Sequence, residues 1–168
     1  MKPNIALYGK TGSGKTTLAK YLVERYDYQR LSTGAACRQI SKRIYGDDSK
    51  ANLNLITDAI KEADPEFWLR TAISSIKGTS PIVFDSMRFA EDYSYFQNLE
   101  YALWKIMCPL DIRVLRLAER GQIFNSDTDE EHPAEISIDT LQYDITLNNE
   151  TTPFELFALV DGLIAGAH

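Results

Sequence analysis

Apolar and polar positions along the chain alternate between two periods. Ile5-Ala6-Leu7-Tyr8 is a continuous apolar run of strand length. Glycines follow, and then Leu18/Leu22 and Ala19/Val23 recur four apart, which predicts a helix with those residues inward. Tyr28 to Leu31 suits a short second strand. From about Ala35 to Lys77 the pattern is helical, with an interruption near Gly46-Asp47-Asp48. Asp64-Pro65-Glu66 reads as a helix start: Asp caps, Pro takes the first turn and Glu favours the positive end of the dipole. Pro81 to Asp85 reads as a third strand ending in an acid, and Tyr101 to Met107 as a fourth. Pro109 opens a helix carrying Leu110, Val114, Leu115 and Leu117. Residues 121–133 are polar and acidic and read as a loop. Asp144 to Leu147 is a short last strand. Thr152-Pro153-Phe154-Glu155 combines a capping box with proline at the first helical position, so a helix is expected to about Ala165.

Strands alternating with helices at this spacing imply an α/β fold, a parallel sheet of five strands covered by helices on both faces. The 168 residues fit a single domain, 1–168, with the helical block at about 33–78 as an insertion over the sheet. Hydrophobic residues at 44% and charged residues at 25% are enough for a buried core and exclude a disordered chain. A formal net charge of −6 argues against broad binding to nucleic acid or anionic membranes, while leaving room for a local basic pocket. No apolar run approaches the roughly 20 residues a membrane helix needs. Met1-Lys2-Pro3 leads into β-type sequence without signal-peptide anatomy, and Cys37 and Cys108 form no CxxC or zinc pattern. A cytoplasmic protein with reduced thiols is the expectation, as a monomer or a homodimer.

Gly9-Lys10-Thr11-Gly12-Ser13-Gly14-Lys15-Thr16 fits G-x-x-x-x-G-K-[ST], between an expected strand and an expected helix. Glycines let the backbone approach a ligand closely. Successive N–H groups, at the positive end of the next helix, can then hold phosphate oxygens. Lys15 is expected to reach the β and γ phosphates and Thr16, followed by Thr17, to offer a hydroxyl to Mg²⁺. Asp85, at the end of an apolar strand, has the Walker B arrangement, a carboxylate near the metal's water shell; the alternative is a turn cap. Ser32-Thr33-Gly34 leads to Arg38, and Asp85-Ser86-Met87 to Arg88. Each arginine falls near the carboxyl edge of the sheet, where ligands of such folds bind. A guanidinium fork suits a phosphate, so the pair suggests a second, phosphate-bearing substrate.

These segments resemble those of the nucleoside monophosphate kinases, which show a phosphate loop, an S-T-G-x-x-x-R segment, a D-G-x-P-R-like segment, and a helix with several arginines after the fourth strand. Residues 129–135 and 145–149 are similar more particularly to phage-type deoxynucleoside monophosphate kinases. The resemblance implies a P-loop kinase-like three-layer α/β/α sandwich in which the insertion binds the acceptor. It implies transfer of the γ-phosphoryl of ATP, with Mg²⁺, to a nucleoside monophosphate, a deoxynucleotide first. Lys15 and Thr16 would serve ATP and Mg²⁺. Ser32, Thr33, Gly34, Arg38 and Arg88 would hold the acceptor. Arg116 and Arg120, in a short lid at about 113–133, would meet the transferring group, with Arg113 as a substitute. Asn148 would lie beside the adenine. The chain departs from the family at Ala35, at Ser86-Met87, and in having no arginine across 121–131.

Other residues keep two readings. Phe67 and Trp68 either stack on the acceptor's base or fill the core of the insertion. Tyr93, Tyr95 and Phe96 suit packing. Glu91 could orient Arg88 or face water. His132 and Glu135 suit capping better than a two-ligand metal site. Asp127 to Glu131 reads as a solvated loop. A kinase of another phosphorylated metabolite, of the dephospho-coenzyme A or phosphomevalonate type, is the near alternative. A nucleotide-dependent switch is the distant one, and no N-K-x-D guanine motif is present.

Overall fold

The computed structural model describes residues 2–166, with all side chains among them except those of Thr128 and Ala134. The elements run β1 (Ile5–Tyr8), α1 (Lys15–Tyr26), β2 (Gln29–Leu31), α2 (Gly34–Tyr45), α3 (Lys50–Ala63), α4 (Phe67–Ile73), β3 (Ile82–Phe84), α5 (Ala90–Asn98), β4 (Ala102–Met107), α6 (Leu110–Glu119), α7 (Ser126–Asp129), α8 (Pro133–Ile136), β5 (Ile145–Asn148) and α9 (Pro153–Gly166).

The strands form a five-stranded sheet in the order β2-β3-β1-β4-β5. β1 pairs in parallel with β3 and β4, and β4 with β5, in the registers Ala6↔Phe84, Ala6↔Leu103 and Ile106↔Leu147. β1 lies at the centre, and all four of its residues are buried, as a strand covered on both faces must be. Successive side chains point to opposite faces. Ile5, Leu7, Val83, Trp104, Ile106 and Leu147 therefore share one core with Leu18, Ala19 and Leu22 of α1 and with Leu156, Val160 and Ile164 of α9. On the alternate register, the Phe84 ring meets Phe96 of α5 at 4.6 Å. Val23, expected inward, is exposed, because the buried stripe of α1 is only Leu18, Ala19 and Leu22 wide.

The chain divides into two compact units. One comprises residues to Arg30 and from Thr79 onward; the other comprises Leu31–Gly78, the helical block. In the second unit, a small core of Cys37, Ile56 and Trp68 is flanked by Ala36, Ile40, Leu53, Ile60 and Phe67. The helix expected to start at Asp64 begins instead at Phe67. Asp64 and Pro65 form a turn in which the Asp64 carboxylate accepts the Glu66 N–H at 3.3 Å.

In the first unit, the expected loop 121–133 contains the single helical turn α7 and leads into α8. The capping box before α9 forms as expected: Thr152 N–H donates to Glu155 Oε2 at 3.1 Å and Glu155 N–H to Thr152 Oγ1 at 3.4 Å. Chain order reverses about β1, with β3 on one side and β4 on the other. The carboxyl end of β1 is therefore the switch point at which folds of this class bind ligands.

Candidate active site

The glycine loop spans the gap between β1 and α1. Gly14 caps α1 in the left-handed region, at φ 106° and ψ 7°, without any side-chain cap bond. The first N–H groups of α1 are thus left for another acceptor. A Cβ at Gly14 would lie 2.3 Å from Asn149 Nδ2; one at Gly12, itself at φ 83°, would lie 3.1 Å from Arg113 Cβ and O. Neither position can hold a side chain without moving its neighbour. The Ser13 hydroxyl is buried in the loop with no hydrogen-bond partner. That orphaned group, in a hollow of backbone donors that excludes side chains, suits a phosphate oxygen.

Lys15 Nζ donates to Gly9 O, and to Lys10 O at 3.1 Å. Burial pushes its pKa down to about 8, and the Glu135 carboxylate opposes that shift. Thr16 Oγ1 donates to Asp85 Oδ2 at 3.4 Å. A hydroxyl and a carboxylate side by side are the hard oxygen donors that Mg²⁺ takes. Thr17 is half-buried in the first turn of α1. The Asp85 carboxylate is also held by an arginine outside the expected set. Arg30 Nε donates to Asp85 Oδ2 at 2.8 Å, Arg30 Nη2 lies 2.6 Å from the same oxygen, and Ser86 Oγ donates to Oδ1 at 3.1 Å. Its signal was a cation two residues ahead of Ser32, within β2.

Arg88 follows β3. Its backbone N–H donates to Asp92 Oδ2 at 3.0 Å, and its Nη1 lies 3.3 Å from Glu135 Oε1. Glu135, expected as a cap, has gone elsewhere: its carboxylate is buried in the phosphate loop. Oε2 accepts the Thr11 N–H at 2.6 Å and Oε1 the Thr11 hydroxyl at 2.9 Å. Among the described residues no group of three or more His, Cys, Asp and Glu side chains comes together as a metal site. The acidic run is solvated only at Asp127 and Glu131. Asp129 is buried and accepts the Asn125 N–H at 2.8 Å, and Glu130 bonds both Lys10 and Arg113. Burial alone would raise the Glu130 carboxyl, but those two cations outweigh it and hold it below the usual range.

The two arginines of α6 and Arg120, which caps it, part ways. Arg113, only 3% exposed, donates to Cys108 O and Thr11 O, each at 3.2 Å. Arg116 reaches Thr151 O at 3.1 Å, Asn149 Oδ1 at 3.3 Å and Cys108 Sγ at 3.2 Å. Arg120 is exposed at the end of the helix. Asn148 ends β5 with its side chain exposed. Its neighbour Asn149 is the residue that touches the loop: it is buried and donates from Nδ2 to Ser13 O at 2.8 Å. Strand alternation placed the two on opposite sides, but which side meets the loop depends on the sheet order.

The remaining expected residues belong to the helical unit. Ser32 Oγ accepts the Gly34 N–H at 3.3 Å, and Thr33 caps α2 through its carbonyl alone, 3.5 Å from the Cys37 N–H. The Arg38 guanidinium folds over Gly34, with Nη1 3.1 Å from where a Cβ would stand. Trp68, 7% exposed, donates from Nε1 to Thr57 O at 3.5 Å and packs edge-on against Phe67, ring centres 5.1 Å apart. Trp68 thus packs in the core of the helical unit, one of the two readings it was given. Phe67 is partly buried beside it.

A family model described as AAA domain matches residues 5–136. An adenylate kinase of Porphyromonas gingivalis is 25% identical over 171 residues, covering 89% of this chain and 79% of the relative. A cytidylate kinase of Sulfolobus acidocaldarius is 29% identical over 119 residues, covering 71% of this chain and 62% of the relative. A shikimate kinase structure from Acinetobacter baumannii superposes with a TM-score of 0.58 at 17% identity, covering 99% of this chain and 95% of the other. The matched span holds the phosphate loop, Asp85, Arg88 and the Glu135 contact, and the chain therefore belongs to the AAA domain family, built on the P-loop kinase fold.

Proposed function

We propose that the protein is a kinase transferring the γ-phosphoryl group of ATP to a nucleoside monophosphate. The observation that carries this reading is the gathering, in one compact unit at the carboxyl end of the sheet, of the loop donors, Lys15, the Thr16/Asp85 oxygen pair and Arg88. The similarity to relatives named adenylate kinase and cytidylate kinase supports the acceptor class. The loop from Gly9 to Thr17 would bind the ATP phosphates, and Thr16 and Asp85 would hold Mg²⁺. When bound, the ion neutralises charge on the phosphates. Lys15 would act on the same charge from the loop side. Arg88 and Arg38 would hold the acceptor's phosphate, with Ser32, Thr33, Gly34 and Phe67 lining the acceptor side. Arg116 and Arg120 would come to the nucleotide as the lid at about 113–133 closes, and Asn148 would lie by the adenine.

An acceptor phosphate oxygen is already ionised at neutral pH, so positioning and charge neutralisation suffice and no general base is needed. Closure would also exclude water from the transferring group. A preference for deoxynucleotides rests only on the likeness of residues 129–135 and 145–149 to phage-type enzymes.

The test is a panel of ribo- and deoxynucleoside monophosphates with ATP and Mg²⁺, reading ADP release. Turnover with at least one acceptor, above ATP alone, is expected, with higher kcat/KM for the deoxy member of a pair. Equal values remove only the sugar preference. The same fold carries a shikimate kinase, and fold by itself does not choose an acceptor. Turnover confined to another phosphorylated metabolite would replace the acceptor class. Acceptor-independent ATP hydrolysis would favour a switch.

A further inference from the structure

Residues 121–131 depart from the family that the chain resembles in having no arginine to approach the nucleotide; here the segment that reaches the phosphate loop brings carboxylates. Glu135 places both carboxylate oxygens on loop groups, taking the Thr11 N–H and the Thr11 hydroxyl, and it also pairs with Arg88. Glu130 takes Lys10 from the loop and Arg113 from α6. Among carboxylates, Glu135 acts most strongly on the Lys15 ammonium, which itself is turned back onto Gly9 O and Lys10 O. The contact is built, not incidental. The Tyr8 hydroxyl donates to Glu135 O at 2.7 Å, the Glu135 N–H donates to His132 O at 2.7 Å, and Ser137 Oγ donates to Arg88 O at 2.9 Å. Every residue in this network lies in one compact unit.

We propose that Glu135, assisted by Glu130, is a resident anion of the phosphate loop: in the free protein its carboxylate holds the donors that a nucleotide's phosphate takes, and nucleotide binds by displacing it. This rests on the reading that the loop binds phosphate, and not on the identity of the acceptor. A carboxylate and a phosphate cannot share one set of donors, because their like charges repel at contact distance. A phosphate brings more oxygens and more charge, so it can replace the acid on Thr11 and Arg88 without leaving those groups unpaired. Apparent affinity is then the intrinsic affinity multiplied by the fraction of molecules whose loop is clear. Weakening the resident contact raises that fraction and tightens nucleotide binding.

The experiment is calorimetric titration of the full chain with MgADP, and separately with inorganic phosphate and with adenosine. Two variants accompany the native protein. Glu135→Gln keeps the shape and removes the charge. Tyr8→Phe keeps the acid and removes the hydroxyl that holds its backbone. About tenfold tighter MgADP binding is expected for Glu135→Gln and about threefold for Tyr8→Phe, with phosphate following ADP and adenosine unchanged. Unchanged or weaker MgADP binding in variants that melt cooperatively overturns the proposal and makes Glu135 a strut for Arg88 and Thr11. If Glu135→Gln does not fold, Tyr8→Phe decides alone. If neither native nor variant protein binds ADP or phosphate, there is nothing to displace and the proposal falls together with the loop reading. Failure of the acceptor panel, with these shifts intact, removes only the proposed acceptor.

Discussion

Gly14 and Asn149 make a pair whose coupling can be worked out in advance. Gly14→Ala puts a methyl group 2.3 Å from Asn149 Nδ2 and asks an alanine to hold φ at 106°. A left-handed backbone costs a non-glycine residue about 1–2 kcal/mol. The asparagine must also move, losing its 2.8 Å bond to Ser13 O and the Arg116 contact at 3.3 Å. A buried amide stripped of its partners costs about 1–3 kcal/mol. Gly14→Ala should therefore cost about 2–5 kcal/mol, within the usual stability of a domain. Asn149→Ala alone should cost about 1–3 kcal/mol, the amide's share. With the amide gone the methyl has room, so in that background Gly14→Ala should cost only the backbone share. The double-mutant cycle should thus show about 1–3 kcal/mol of coupling, of the sign that makes the pair cheaper together. Urea denaturation gives all four stabilities, provided the slopes match. Costs that add to within about 0.5 kcal/mol would refute the reasoning, because they would mean that the two side chains do not compete for the same space.

Lys15→Ala should lower kcat/KM by about 3 kcal/mol or more in transition-state terms, with the unfolding midpoint unchanged or raised; near-native turnover in the folded variant would remove Lys15 from the chemistry. The same lysine predicts a pH effect. Its folded pKa, about 8, lies below its ordinary value of 10.5, so the unfolded chain binds the extra proton between them and stability rises with pH across that window. Unfolding at pH 7.5 and 9.5 should show that rise in the native protein and lose it in Lys15→Met; an equal rise in both would sink the assignment. Arg30→Ala strips the buried Asp85 carboxylate of its ion pair and should cost about 3 kcal/mol, partly restored by Mg²⁺. Melting curves with and without the ion check this, and an unchanged midpoint counts against it. Arg38→Ala and Arg88→Ala should each weaken the acceptor by about 2 kcal/mol in KM; unchanged acceptor KM would reassign them.

What the sequence determined by itself was whatever depends on near neighbours. The apolar run of β1, the glycine pattern that follows it and the four-residue spacing of α1 each carry their meaning within one turn or one strand, and each appears where expected, Val23 excepted. The Thr152/Glu155 capping box formed for the same reason, as did Asp85 at the end of β3. Local pattern could not tell which side chains the sheet order would bring together. Arg30 meets Asp85 across 55 positions, Glu135 meets Thr11 across 124, and Asn149 meets Ser13 across 136. Read locally, an acidic run is a solvated loop. Glu130 departs from that reading because it finds the buried Arg113, and Lys10 as well. A buried charge is tolerable only where another charge or a polar group waits for it. Which groups wait is decided by β1 lying between β3 and β4, and that order is a property of the folded sheet.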